Sequence, residues 1–233
     1  MTAHYPPRSD PATRADAISF AHADSDHIRR STGLYRAVVK RGFDISLVLM
    51  AAPIVLTVIG ALALLVAFDG GRSFYSQDRV GRGGRIYTMW KLRSMVPDAE
   101  AKLEAHLAVD PAARAEWDAT QKLKADPRTT RFGRLIRKCS MDELPQLWNV
   151  LIGDMSLVGP RPMMPNQQDL YPGRAYYRLR PGITGPWQVS ARNDSTFADR
   201  ARFDTDYDRT LSLRGDISLL AATVHVVLRG TGH

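Results

Sequence analysis

Cysteine is almost absent from this sequence: Cys139 stands alone in 233 residues. That excludes a disulfide scaffold and any cysteine-based zinc site, and it fits a reducing compartment. Aromatic residues make up only 8% of the chain and do not interleave with the basic ones, so no nucleic-acid partner is expected. No collagen-like or coiled-coil composition is present either. Acidic residues are outnumbered, 24 Asp+Glu against 32 Lys+Arg, for a formal charge of +8. Such a balance calls for an anionic partner, and with nucleic acid set aside that leaves a lipid surface or a phosphorylated substrate. The length suits one medium domain, or two only if both are small.

The position of the charge narrows those choices. Residues 1–33 hold four Arg and four Asp, whereas residues 34–93 hold nine basic and three acidic side chains. The excess surrounds an uncharged run of 24 residues, 45–68, long enough to cross a bilayer. It lies too deep in the chain for a cleavable signal, and no small-residue cleavage site follows it. Membrane association is therefore expected. Arg29, Arg30, Arg36, Lys40 and Arg41 precede the run; Arg72, Arg79, Arg82 and Arg85 follow it. Basic residues favour the cytoplasmic side, so the two flanks give no bias for a spanning helix. Pro53, inside the run, removes a helical hydrogen bond and bends the helix. A bent segment that enters and leaves by one face satisfies both flanks; a plain spanning helix with a tolerated proline is the other reading.

Residues 1–33, with Pro6, Pro7 and Pro11 and little apolar periodicity, read as a disordered tail. Its histidines, His4, His22 and His27, lack metal-ligand spacing. After the apolar run, segments 73–80 and 85–95 flank Gly81-Arg82-Gly83-Gly84, which predicts a β-hairpin. Read as a phosphate loop, the same glycines lack Walker or dinucleotide spacing. Residues 97–126 read as two amphipathic helices broken at Asp110-Pro111, either interfacial or packed on the domain. Arg128, Arg131, Arg134 and Arg137 recur every third residue, a basic ridge if helical, with Lys138 adjacent.

The ridge leads into Ser140-Met141-Asp142-Glu143-Leu144-Pro145. Ser140 and Glu143 match a capping box. Alternatively Asp142 is the N-cap, which places Pro145 in the first turn, where its missing N–H costs nothing. Either way two carboxylates are expected at a helix N-terminus, a position that keeps them ionised and also attracts anions. Capping alone explains them; so does a divalent metal with a phosphorylated ligand. Downstream, residues 153–162 and 180–188 are dense in Pro and Gly and read as structured binding loops. Asp204, Asp206 and Asp208 lack the Gly and distal Glu of a calcium loop. Asp216 is placed to cap an apolar helix over 217–228, too short to span a bilayer.

These motifs, in this order, resemble the monotopic phosphoglycosyl transferases, or bacterial sugar transferases. The order is Lys40-Arg41-x-x-Asp44, Gln77-x-Arg79-Val80-Gly81, Lys91-x-Arg93-Ser94-Met95, then residues 142–149 (DELPQLWN). Gly159-Pro160-Arg161-Pro162 and Arg180-Pro181-Gly182-Ile183-Thr184-Gly185 complete it. The resemblance covers about residues 35–230, without the multi-span N-terminal region of larger members. It implies an α+β, mainly helical fold: one re-entrant membrane helix, a small β-hairpin and amphipathic interfacial helices. The tail at 1–33 lies outside the resemblance, which implies the re-entrant helix and flanks at 34–72 and a catalytic domain at 73–233 facing the cytosol from the bacterial inner membrane.

The implied reaction moves a sugar-1-phosphate, a hexose such as galactose or glucose, from a UDP-sugar to a polyprenyl phosphate. UMP leaves, and exopolysaccharide or related glycoconjugate synthesis begins. Asp142 matches the nucleophile and Glu143 the neighbouring carboxylate associated with Mg²⁺, with both as metal ligands. Arg137 and Arg161 are expected on substrate phosphates, followed by Lys91, Arg93, Arg192 and Asp204. Where the family often has serine before the membrane proline, leucine before the dyad and Asn-Gly-Arg, this chain has Ala52, Met141 and Ser190-Ala191-Arg192. The rival readings are a polyprenyl-linked glycosyltransferase that releases UDP and a non-catalytic basic scaffold on the membrane.

Overall fold

A computed structural model of the chain describes residues 33–68, 70–120, 123, 125–190 and 196–228. The expectations for the tail, its histidines and Arg192 lie outside the described residues.

The apolar run becomes one long helix, α1 (Lys40–Phe68), preceded by a π-helical turn at Tyr35–Val39. At 1.5 Å per residue its 29 residues extend roughly 43 Å. Pro53 lies inside it, and Thr57 Oγ1 donates to the Pro53 carbonyl at 3.0 Å. It is the one helix among the described residues long and apolar enough to cross a membrane. Leu49, Met50, Ile54 and Leu56 along its middle are exposed.

Both ends of α1 are docked. Near the N-terminal end the buried Asp44 accepts from Ser156 Oγ at 2.7 Å and from the Leu157 N–H at 3.2 Å. Arg36 pairs with Asp208, and Lys40 with Asp216. At the other end Val66 packs in a cluster with Leu92 and Ile136. There Arg93 donates to the Val66 carbonyl at 3.0 Å, and Ser73 Oγ to the Ala63 carbonyl at 2.6 Å.

The hairpin forms as expected from its glycines. Strands β1 (Phe74–Val80) and β2 (Ile86–Leu92) pair antiparallel, from Phe74 opposite Leu92 to Val80 opposite Ile86. Gly83 and Gly84 close the tip at φ 72° and 81°, where a β-carbon would be strained. The phosphate-loop alternative is thereby answered: these glycines turn a chain. Tyr87 and Met89 alternate inward on β2 and join Val48, Val150 and Met155 in a core cluster.

Two helices follow, α2 (Ala99–Val109) and α3 (Pro111–Thr120), broken at Asp110 as the sequence predicts. They pack on each other through Leu103, Leu107 and Ala113, with Leu123. The basic ridge is only partly a helix face. Helix α4 (Arg131–Lys138) starts after Arg128, whose guanidinium pairs with Asp126 and lies 5.3 Å from the Trp117 ring. Thr130 caps α4 by accepting from the Gly133 N–H.

After α4 come α5 (Gln146–Ile152), β3 (Ser156–Val158), α6 (Ala175–Arg178), β4 (Gly182–Thr184) and α7 (Pro186–Ser190). The helices α8 (Arg200–Thr210) and α9 (Leu213–Leu228) end the described chain. The two Pro/Gly-rich stretches expected to be loops pair instead, β3 parallel to β4. Glycine permits this: a β-carbon on Gly182 would lie 2.1 Å from the Gly159 nitrogen. Helix α9 begins four residues before the expected start, so Asp216 is inside its first turn rather than a cap. Its buried carboxylate accepts instead from Tyr35, Lys40 and Tyr207.

Candidate active site

The dyad is built where α4 stops. Ser140 takes a left-handed conformation, φ 54°, and turns the chain into a single 3₁₀ turn, Met141–Glu143. Helix α5 begins only after Pro145. Both capping readings therefore fail. Asp142 is not the N-cap of α5, and no Ser140 side-chain bond closes a capping box. The proline explains the delay: helix starts tolerate its missing N–H, and the tight turn before it carries the carboxylates.

Asn149, fully buried, fixes α5 against the hairpin. Its side chain accepts from the Trp90 N–H at 3.1 Å and donates to the Thr88 carbonyl at 2.8 Å. It thus continues the β2 edge into α5 and holds the dyad's turn in register with Lys91. Sequence reasoning did not single it out, although a polar residue on the apolar turn of a helix was there to be noticed.

Lys91 lies on the β2 face opposite the buried Leu92, and its Nζ pairs with Glu143 Oε1 at 2.7 Å. Asp142 is 6% exposed. Burial pushes its carboxyl above the usual carboxylate range; Lys91 and Arg137 pull it down, and the adjacent Glu143 pushes it up. The helix N-terminus expected to favour the ionised form is not there, since the dyad sits on a 3₁₀ turn, and desolvation outweighs the neighbouring cations in setting the direction of the shift. Arg137 also donates to Thr129 Oγ1 at 3.1 Å.

Beside the dyad is a cavity of about 350 Å³. Glu143, Arg161 and Gln188 meet it, with Leu147, Ile183 and Val226 among its apolar walls. Cys139 also faces it, half-buried. The fold therefore brings Asp142, Glu143, Lys91 and Arg137 together and sets Arg161 on the same cavity. It places two other candidates elsewhere: Arg93 against the end of α1, and Asp204 buried and accepting from Tyr171 at 2.8 Å.

A nucleophilic role for Asp142, expected from the family resemblance, requires its ionised form; that role predicts activity that falls with decreasing pH at values above the ordinary carboxylate range. Lys91 opposes the rise of the Asp142 pKa. Lys91→Gln should move the acidic limb of the kcat/KM profile to still higher pH. An unmoved limb in a folded variant would detach Lys91 from Asp142.

The family model for bacterial sugar transferases matches residues 35–230. A UDP-galactose-lipid carrier transferase of Erwinia amylovora is 47% identical over 196 residues, 83% of this chain and 41% of that protein. An undecaprenyl-phosphate galactose phosphotransferase of Salmonella typhimurium matches to the same extent, 47% identical over 83% of this chain and 41% of its own. The chain thus spans about two fifths of these two relatives. An exopolysaccharide production protein of Sinorhizobium fredii is 39% identical over 231 residues, covering 95% of this chain and 98% of that protein. Matched over most of its length by the family model and by a relative of nearly equal extent, the chain belongs to the bacterial sugar transferase family.

Proposed function

We propose that the protein transfers a hexose-1-phosphate from a UDP-sugar to a polyprenyl phosphate, releasing UMP, as the first membrane step of exopolysaccharide or related glycoconjugate synthesis. The observation that carries this reading is the dyad itself: Asp142 is a buried carboxylate, and its neighbour Glu143, paired with Lys91, lines an apolar cavity. A carboxylate oxygen of Asp142 attacks the sugar-bearing phosphorus. The bond from that phosphorus to the bridging oxygen breaks, and UMP departs with that oxygen. A phosphate oxygen of the polyprenyl phosphate then attacks the same phosphorus and releases the carboxylate. Two displacements replace one difficult one. Lys91 and Arg137 balance the charge that the incoming diphosphate brings to the carboxylate.

The donor set suits Mg²⁺ in the mode where substrate phosphates supply most ligands. Asp142 and Glu143 are two adjacent carboxylates, and no group of three or more potential ligand side chains occurs among the described residues. Glu143, with Asp142, would hold the ion, exchanging its contact with Lys91. The ion would supply charge neutralisation at the diphosphate.

We further infer that α1 is re-entrant, with the catalytic domain facing the cytosol at the bacterial inner membrane and α2 and α3 at the lipid interface. Support comes from the docking of both α1 ends on the same domain, Asp44 on β3 and Val66 on β2 and α4. Single cysteines at Leu34 and at Arg72, both exposed, are informative in a Cys139→Ser background. In intact cells both should be shielded from an impermeant thiol reagent applied outside. Labelling of one site and not the other would establish a spanning helix.

The reaction is tested with purified protein, polyprenyl phosphate, Mg²⁺ and UDP-hexoses, reading which nucleotide appears. UMP is expected. UDP would favour the glycosyltransferase alternative and end this reading.

A further inference from the structure

Away from the dyad, three arginines gather with no ion pair to any of them among the described residues. Arg200, at the start of α8, is 8% exposed, and its guanidinium carbon lies 4.3 Å from the ring centres of both Trp187 and Phe197. Its Nε is buried with no hydrogen-bond partner. Arg161 approaches the same indole at 5.8 Å. Arg79 comes from the end of β1, where Val80 N–H donates to the Met163 carbonyl at 3.0 Å, two residues beyond Arg161. One Arg79 nitrogen donates to Gln77 Oε1 at 2.7 Å, but its Nε is also buried without a partner.

None of the three joins an ion pair among the described residues. Asp204, one turn along α8 from Arg200, accepts from Tyr171 instead, and burial pushes it up to about 7. Near neutrality it therefore carries only part of a charge. Burial, and after it Arg161, disfavours the charged form of both Arg79 and Arg200, and Asp204 only partly offsets this for Arg200. Burying like charges with unfilled donors is costly unless an anion completes the arrangement. Guanidinium forks match phosphate oxygens in both geometry and charge.

We propose that Arg79, Arg161 and Arg200 form a second phosphate-binding subsite, separate from the Asp142–Glu143 dyad, for a phosphate group of one of the reactants. The identity of those reactants rests on the proposed function. Two phosphate-bearing reactants enter that reaction, and Lys91 and Arg137 attend the dyad. Arg161 faces both the cavity shared with Glu143 and the Trp187 ring, which connects the subsite to the reacting centre. Trp187 and Phe197 both lie against the Arg200 guanidinium, at 4.3 Å, and so restrict it and pre-organise it for an anion.

Binding, read by calorimetry in an Asp142→Asn background, tests the subsite without relying on turnover. The probes are UMP, farnesyl phosphate in lipid nanodiscs and inorganic phosphate. Arg200→Gln and Arg79→Gln should each weaken UMP or farnesyl phosphate by about 10-fold or more. Arg200→Lys, which keeps the charge without the fork, should also weaken it. Loss confined to UMP places the donor there; loss confined to farnesyl phosphate places the acceptor. Thermal melting verifies folding, and Arg161→Gln, at a half-buried position, carries the test if the buried variants do not fold. Unchanged affinity for all three probes in folded variants would overturn the subsite. Arginine-dependent binding in a protein whose wild type releases no UMP would sink the proposed reaction and leave the subsite standing.

Discussion

Asp142→Asn should reduce turnover by about 10⁴-fold or more, the scale on which enzymes lose activity when their nucleophile is removed. The amide has the same volume but no anionic oxygen to attack phosphorus. Its effect on stability should run the other way. Asp142 sits 6% exposed, and burial disfavours its ionised form. A neutral side chain of equal shape escapes that cost, so the variant should melt at or above the wild-type temperature in detergent at neutral pH. With UDP-sugar alone, wild type should give a stoichiometric burst of UMP and a phosphosugar adduct on Asp142, and the variant neither. An active, adduct-free Asp142→Asn enzyme would remove the carboxylate from the mechanism. Glu143→Gln should also be severely impaired, without losing the nucleophile. It gives up a charged partner of Lys91 and, in the proposed reaction, a ligand for Mg²⁺.

Asp216→Ala carries the largest expected loss of stability. The carboxylate, 0% exposed, accepts from Tyr35 at 2.5 Å, Lys40 at 2.6 Å and Tyr207 at 2.6 Å. Truncation leaves the Lys40 ammonium, itself mostly buried, without this partner, and breaking such a pair costs about 3–5 kcal/mol. The damage should spread to the membrane segment, because these bonds tie the beginning of α1 to α9. Chemical denaturation in detergent should show the loss, and Lys40→Met added to Asp216→Leu should recover much of it. Failure of the second change to recover stability would mean that the pair is not what holds the segment.

The candidate site shows how far residue patterns reach. Asp142 and Glu143 stand out in sequence as adjacent carboxylates following a basic ridge, and Lys91 and Arg161 are in the motifs that carry the resemblance. The turn that presents the dyad was legible only as a helix start. A left-handed Ser140 and a helix delayed past Pro145 depend on how α4 meets the hairpin, and a linear pattern does not report that. Arg200 was missed for a related reason. On a helix carrying Arg and Asp in alternation it reads as a solvated charge, and it takes Trp187, brought in from α7, against Arg200 and its near neighbour Phe197 to bury it.

The sequence alone determined the features whose cause is local. An apolar run longer than a bilayer requires becomes α1, glycines permitting positive φ turn the hairpin, and Asp110-Pro111 separates α2 from α3. Each follows from backbone freedom or hydrophobic periodicity within a few residues. Tertiary structure alone decided which distant groups meet. Asp44 takes Ser156, Lys40 takes Asp216 and Arg36 takes Asp208, across separations of 112, 176 and 172 residues. Periodicity tells which side of a segment is buried but carries no information about what buries it. That choice is made when segments pack and each buried charge must find a partner or lose its hydration uncompensated. The same packing leaves Arg79, Arg161 and Arg200 close together with no ion pair to a carboxylate among the described residues, an arrangement that no reading along the chain could contain.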